Sequence, residues 1–155
     1  MSNRYMARAI ELAIENVRSG GGGPFGAVVV RNGEILAEGA NRVTSTNDPT
    51  AHAEVVAIRE ACAKLGQFEL RDCELYTSCE PCPMCLGAIY WTRPARVYFG
   101  STAADASKAG FDDSLIYSEI QLPYADRKIS MAQLMGEEAR EAFRVWERQA
   151  NKLPY

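Results

Sequence analysis

This 155-residue sequence contains five cysteines and one histidine, and the side chains suited to metal chemistry are clustered. Three of the cysteines fall within seven positions, in "SCEPCPMC" at 78–85, and the histidine opens "HAE" at 52–54. Cys82 and Cys85 are three apart, so on a helix that starts there their sulfurs emerge on one side, one turn apart. A helix start also presents unpaired N–H groups and the positive end of the dipole, which favour thiolate over thiol. Divalent zinc accepts two cysteine sulfurs and a histidine nitrogen, and three protein ligands leave a fourth position for water. His52 is the histidine available as the third ligand. Glu54 need not be a ligand, because a carboxylate beside a zinc-held water can take its proton and return it to a substrate.

Composition bounds where such chemistry operates. With 47% apolar residues the chain reads as one domain over residues 1–155, long enough to bury a continuous core. "MSNRYMARAIELAIENVRSG" lacks the apolar run of a secretory signal, and nowhere is there a run of about 18 apolar residues to span a bilayer. The expectation is a soluble cytoplasmic protein without a membrane partner. In that reducing compartment an odd cysteine number suits metal or catalysis better than disulfides. A net charge of −3 and a pI near 5.3 argue against a surface built for nucleic acid, although a local basic patch stays open. Mixed-sign runs such as "GEEAREAFRVWERQANK" read as solvated helix faces.

The elements that must position these residues follow from periodicity. Met6, Ala9, Ile10, Ala13, Ile14 and Val17 recur at helical spacing within residues 4–18, and "SGGGG" ends that helix. "GAVVVRNGEILAEGAN" reads as a hairpin turning at Asn32-Gly33. In "DPTAHAEVVAIREACAKLG", Asp48 is the expected N-cap, Pro49 the first helical residue and Gly66 the stop, which puts His52 and Glu54 in the first turn. "CELYTS" is a strand running into the cysteine cluster, and Pro83 starts a helix capped by Cys82 and reaching about Arg93. "ARVYFG" is a fourth strand and "ISMAQLM" a fifth. "TAADASKAG", "SLIYSEI" and Glu137 to Lys152 read as helices. An α/β fold is expected, with a mixed five-stranded sheet covered by helices on both faces. His52 and Glu54, two apart, would point to opposite sides of a regular helix, so they converge only on a target beyond its end. A metal between two helix N-termini occupies such a place.

"HAE" followed 26 residues later by "PCPMC" resembles the zinc-dependent nucleobase and nucleoside deaminases, whose signature is H-x-E…P-C-x-x-C. The matching core runs from about Gly23 to Gly100. "GGPFGAVVV", "TSTNDPTAHAEVVAIREAC", "LYTSCEPCPMCLGAIYW", "AGFDDS" and "NKLPY" extend the likeness, which is to the bacterial guanine deaminases, over nearly the whole length. The resemblance implies a three-layer cytidine-deaminase-like fold, one Zn2+ per subunit, a small purine base as substrate, and a homodimer that exchanges C-terminal segments. It implies that Asn41 and Asp113 bind the base, that Phe25 and Trp91 line its faces, and that Tyr155 helps close the pocket. The implied reaction is hydrolysis at C2 of guanine to xanthine and ammonia, in purine catabolism or salvage.

Plainer roles compete. Phe25 and Trp91 could fill the core, Asn41 could only shape a turn, and Asp113 or Asp112 could cap a helix. Cys62 and Cys73 read as core residues, and Cys79 as shaping the turn into the cysteine helix, although a closed site of His52, Cys79, Cys82 and Cys85 is conceivable on ligand types. Gly21 to Gly26 matches G-x-G-x-x-G but lies after a helix and before a strand, the reverse of a dinucleotide-binding context. Besides guanine hydrolysis, the competing functions are deamination of transfer-RNA adenosine, deamination of guanosine or cytosine, and a non-enzymatic zinc-stabilised binding module.

Overall fold

Asn32 and Gly33, at φ of 52° and 79°, form the two-residue turn between β1 (Gly26–Arg31) and β2 (Glu34–Ala40). Both central residues of such a turn must be left-handed, which is why Asn-Gly is its favoured pair. The computed structural model describes residues 3–155, which form two compact units, one running to Asp113 and one of Ser114–Tyr155. In the first unit the order is α1 (Arg4–Arg18), β1, β2, α2 (Val43–Thr46), α3 (Ala53–Leu65), β3 (Cys73–Cys79), α4 (Pro83–Thr92), β4 (Arg96–Ser101) and α5 (Ala103–Lys108). The second holds α6 (Ser114–Ile120), a 3-10 turn at Tyr124–Asp126 and α7 (Gly136–Arg148).

The sheet order is β2-β1-β3-β4. β1 pairs antiparallel with β2 and with β3, while β3 and β4 are parallel and therefore need a crossover, which α4 supplies. Side-chain alternation divides the core. Val28, Val30 and Tyr76 pack with Tyr5, Met6 and Leu12 of α1 on one face. Ala27, Val29 and Leu75 pack with Ala53, Ala57, Ile58 and Ala61 of α3 and Ile89 of α4 on the other. β1, central and covered on both faces, is accordingly a continuous apolar run. At Gly39 a Cβ would lie 2.2 Å from the Ala53 carbonyl oxygen and 2.6 Å from the Ala57 nitrogen, so only glycine lets the start of α3 sit this close to β2.

Three expectations require correction. The sheet has four strands among the described residues, not five: "ISMAQLM" is irregular backbone in the second unit, with Ile129 and Leu134 exposed. Its apolar residues resemble a strand's, but a strand exists only through a neighbour's backbone, and no ladder partner meets it among the described residues. The helix expected from Asp48 begins at Ala53, with His52 as its N-cap. Asp48 Oδ1 instead accepts from the Thr50 amide at 2.8 Å and the Thr50 hydroxyl at 2.7 Å. This local turn competes with helix and delays its start. α7 ends at Arg148, short of the expected Lys152, while α4 starts and ends as anticipated, with Cys82 as N-cap, Pro83 first and a left-handed Arg93 after it.

Candidate active site

Two helix starts meet at the end of the sheet, and both caps carry donor atoms. His52 and Cys82 have extended backbones outside their helices, at φ/ψ of −69°/155° and −66°/167°. The late start of α3 thus resolves the spacing difficulty: His52 is not on the helix surface, and its ring can turn toward a point beyond the helix end. Cys82 Sγ and Cys85 Sγ each lie 3.5 Å from His52 Nδ1. The three donor atoms lie within 4.8 Å of one another. A tetrahedral zinc with ordinary bond lengths separates its nitrogen and sulfur ligands by about 3.6 Å, so the donor set fits that ion. Cys79 does not join this group; its thiol points to the Thr102 carbonyl at 3.7 Å.

The charges within the group are coupled. The Cys82 thiol is drawn down to about 4, first by its hydrogen bond with Cys85 and then by His52. The same bond pushes Cys85 far up, so the two thiols ionise as a coupled pair. The bond with Cys82 raises His52 against its burial. Glu54, in the first turn of α3, is only 6% exposed, and burial pushes its carboxyl above the ordinary range. Its own backbone N–H and a hydrogen bond with Cys85 oppose that rise. A carboxyl so placed can hold a proton beside the donor group and pass it on.

A second set of candidate residues stands on loops. Asn41 is buried after β2, where its Oδ1 accepts from the Gly23 amide at 3.3 Å and the Val43 amide at 3.2 Å. Its carboxamide therefore shapes the turn through its oxygen, leaving its NH2 as the group to offer a ligand. Half-buried Phe25 meets Phe111 edge to face, with centroids 4.9 Å apart at 86°. Half-buried Asp113 is pushed up first by burial and further by the negative charges of Cys82, Asp112 and Glu80; Asp112 is exposed. Phe111 was missed as a candidate, although "GFDDS" puts it two residues from Asp113.

Trp91 is not brought to the donor group of its own chain. It is 61% exposed in the last turn of α4, about 14 Å along the helix from Cys82. Tyr155 ends the second unit, exposed. Cys73 is buried and Cys62 half-buried in the α3 side of the core, as expected. Grooves of about 540 and 580 Å³, along β2 and beside α1, are lined by none of the candidate residues, so donor geometry rather than cavity size identifies the site.

Comparison with known proteins points the same way. Residues 1–101 match the cytidine and deoxycytidylate deaminase zinc-binding region. The chain is 56% identical over 151 residues to a guanine deaminase of Bacillus subtilis, covering 97% of each chain. It superposes on the crystal structure of guanine deaminase from that organism with a TM-score of 0.96 at 55% identity, over 100% of this chain and 99% of the other. A tRNA-specific adenosine deaminase of Agrobacterium fabrum is 45% identical over 95 residues, which is 59% of this chain and 62% of that relative.

Proposed function

This chain belongs to the cytidine and deoxycytidylate deaminase zinc-binding family, and from that premise we propose that it hydrolyses guanine to xanthine and ammonia. The observation that carries the substrate is the extent of the match. Likeness to the guanine deaminase continues past residue 101, where the zinc-binding region ends, over 97% of the chain at 56% identity, whereas likeness to two tRNA-specific adenosine deaminases spans 59% and 76% of the chain at 45% and 37% identity.

His52, Cys82 and Cys85 would hold one zinc per subunit. When bound, zinc makes a water available as a nucleophile at neutral pH. Glu54 takes the proton of the attacking water and delivers it to the ring nitrogen beside C2 as the C2–O bond forms. It then takes the remaining proton from the oxygen now bonded to C2 and passes it to the amine as the C2–N bond breaks, so guanine and water are converted to xanthine and ammonia. The Asn41 NH2 donates to an acceptor on the base, and Asp113 accepts from its ring N–H groups. Phe25 lines a face of the base. Trp91 and Tyr155 complete the pocket wall in a homodimer whose C-terminal segments are exchanged, the whole chain acting as one deaminase domain. Exposed Leu86, Tyr90 and Trp91 on α4 supply apolar surface for such a pairing. We place the enzyme in the cytoplasm, in purine catabolism or salvage; its five cysteines are free, and no described helix is long and apolar enough to cross a membrane.

The test is ammonia release by the zinc-loaded protein from guanine, guanosine, cytosine, cytidine and adenine in parallel, with Glu54→Gln as blank. Turnover of guanine far ahead of the others is expected. Silence on all five with zinc present would overturn the assignment in favour of a polynucleotide substrate.

A further inference from the structure

Glu80 directly follows β3, two residues before Cys82. Its backbone N–H donates to the Ser101 carbonyl at 2.9 Å, closing the end of the β3–β4 pairing. Its Oε2 accepts from the Ala103 amide, the first of α5, at 2.9 Å. The Cys79 thiol meets the Thr102 carbonyl at 3.7 Å, and the Ser101 hydroxyl donates to the Ser78 carbonyl at 3.1 Å. Ser78, Cys79 and Glu80 therefore clasp residues 101–103 just before the chain reaches Cys82.

α5 transmits that placement because it is capped at both ends. Thr102 and Asp105 form a capping box at its start. At its end the Phe111 amide donates to the Ala106 carbonyl and the Gly110 amide to the Ser107 carbonyl, each at 3.0 Å, with Gly110 left-handed at φ +94°. This is the 6→1 and 5→2 pattern of a Schellman stop, and it fixes the direction in which the chain leaves. The exiting residues are Phe111, whose ring meets Phe25, and Asp113, which feels the charges of Cys82 and Glu80. A neutral acceptor would also satisfy the Ala103 amide without placing a second negative charge near Asp113. The tether and the charge of Glu80 are thus separable.

We propose that Glu80 is a positioning residue for base recognition: its carboxylate holds α5, and through α5 the Phe111–Asp113 segment, in register with the loop that carries Cys82. This rests on the guanine reading for its functional consequence and on the hydrogen bonds alone for its structural one. Removing a charge-assisted bond of this kind should cost the interaction it orients about tenfold.

Two measurements on the zinc-loaded full chain test it. In Glu80→Ala, amide hydrogen exchange should accelerate over residues 103–113 while residues 53–58 stay protected. KM for guanine should rise about tenfold, with kcat and zinc content near wild type. Glu80→Gln keeps an acceptor for the Ala103 amide and should restore both. Unchanged exchange at 103–113 in Glu80→Ala would overturn the tether, and unchanged KM would overturn its role in recognition. Loss of zinc or of kcat at constant KM would show instead that Glu80 supports the metal loop. Glu80→Gln behaving as Glu80→Ala would show that charge, not the tether, matters. If the wild-type protein does not turn over guanine, the functional reading fails, while the exchange experiment still decides the tether.

Discussion

The candidate donor group and the residues proposed to read the base are built in opposite ways. His52, Cys82 and Cys85 occupy the caps and first turn of two helices packed on one face of the sheet, where Gly39 lets α3 lie against β2 and Ile89 anchors α4 in the core. Asn41, Phe25, Phe111 and Asp113 stand on loops, where Asn41 Oδ1 accepts from two backbone amides and the rings of Phe25 and Phe111 meet edge to face. The lesson is a division of labour. Metal binding needs three atoms within a few tenths of an ångström, which suits rigid elements; the residues proposed to read the base stand on loops that can vary without disturbing them.

Removing a ligand should break the rigid region most completely. Cys82→Ala is expected to lose bound zinc and to fall to background guanine turnover, measured by metal analysis and ammonia release on the same sample. Glu54→Gln separates chemistry from scaffold. Zinc content and unfolding midpoint should stay near wild type while kcat falls by about 10²–10⁴-fold, and near-normal turnover would sink the acid–base role.

The loop region should respond differently. Asp113→Asn is expected to lower kcat/KM for guanine by about ten- to hundredfold with zinc retained, and an unchanged value would show the base-reading carboxylate to be misassigned. The smallest effect belongs to neither region. Arg8 Nε lies 2.8 Å from Glu38 Oε1, and its hydrogen bonds hold the Glu38 carboxyl below the ordinary range. A depressed carboxylate stabilises the fold above its unfolded pKa, and that contribution is lost as pH falls through the lower folded value. Because the Glu38 side chain is 37% exposed, the effect should stay under about 1 kcal/mol. Glu38→Gln should therefore flatten the dependence of the urea midpoint on pH in the acid range slightly, with guanine turnover unchanged.

The parts legible in the sequence are those with local causes. Asn32-Gly33 dictates its turn through backbone stereochemistry, and Pro83 marks the start of α4, so the i, i+3 geometry of Cys82 and Cys85 follows directly. The parts not legible depend on competition or on distant partners. The Asp48–Thr50 turn displaced the start of α3, and the strand-like residues 129–135 met no ladder among the described residues. Phe111 and Glu80 gain their roles from Phe25 and Ala103, which lie 86 and 23 residues away.

By itself, then, the sequence determined the candidate donor residues, the carboxylate beside them and the helix that presents the cysteines, because residue chemistry and short-range periodicity are written in adjacent positions. Only the tertiary structure decided that His52 lies outside its helix, that Cys79 stays outside the donor group, and that residues 101–113 are clasped to the cysteine loop. Those outcomes depend on close packing between distant segments and on which of several possible partners each backbone group finds, and neither is a property of any short stretch of chain.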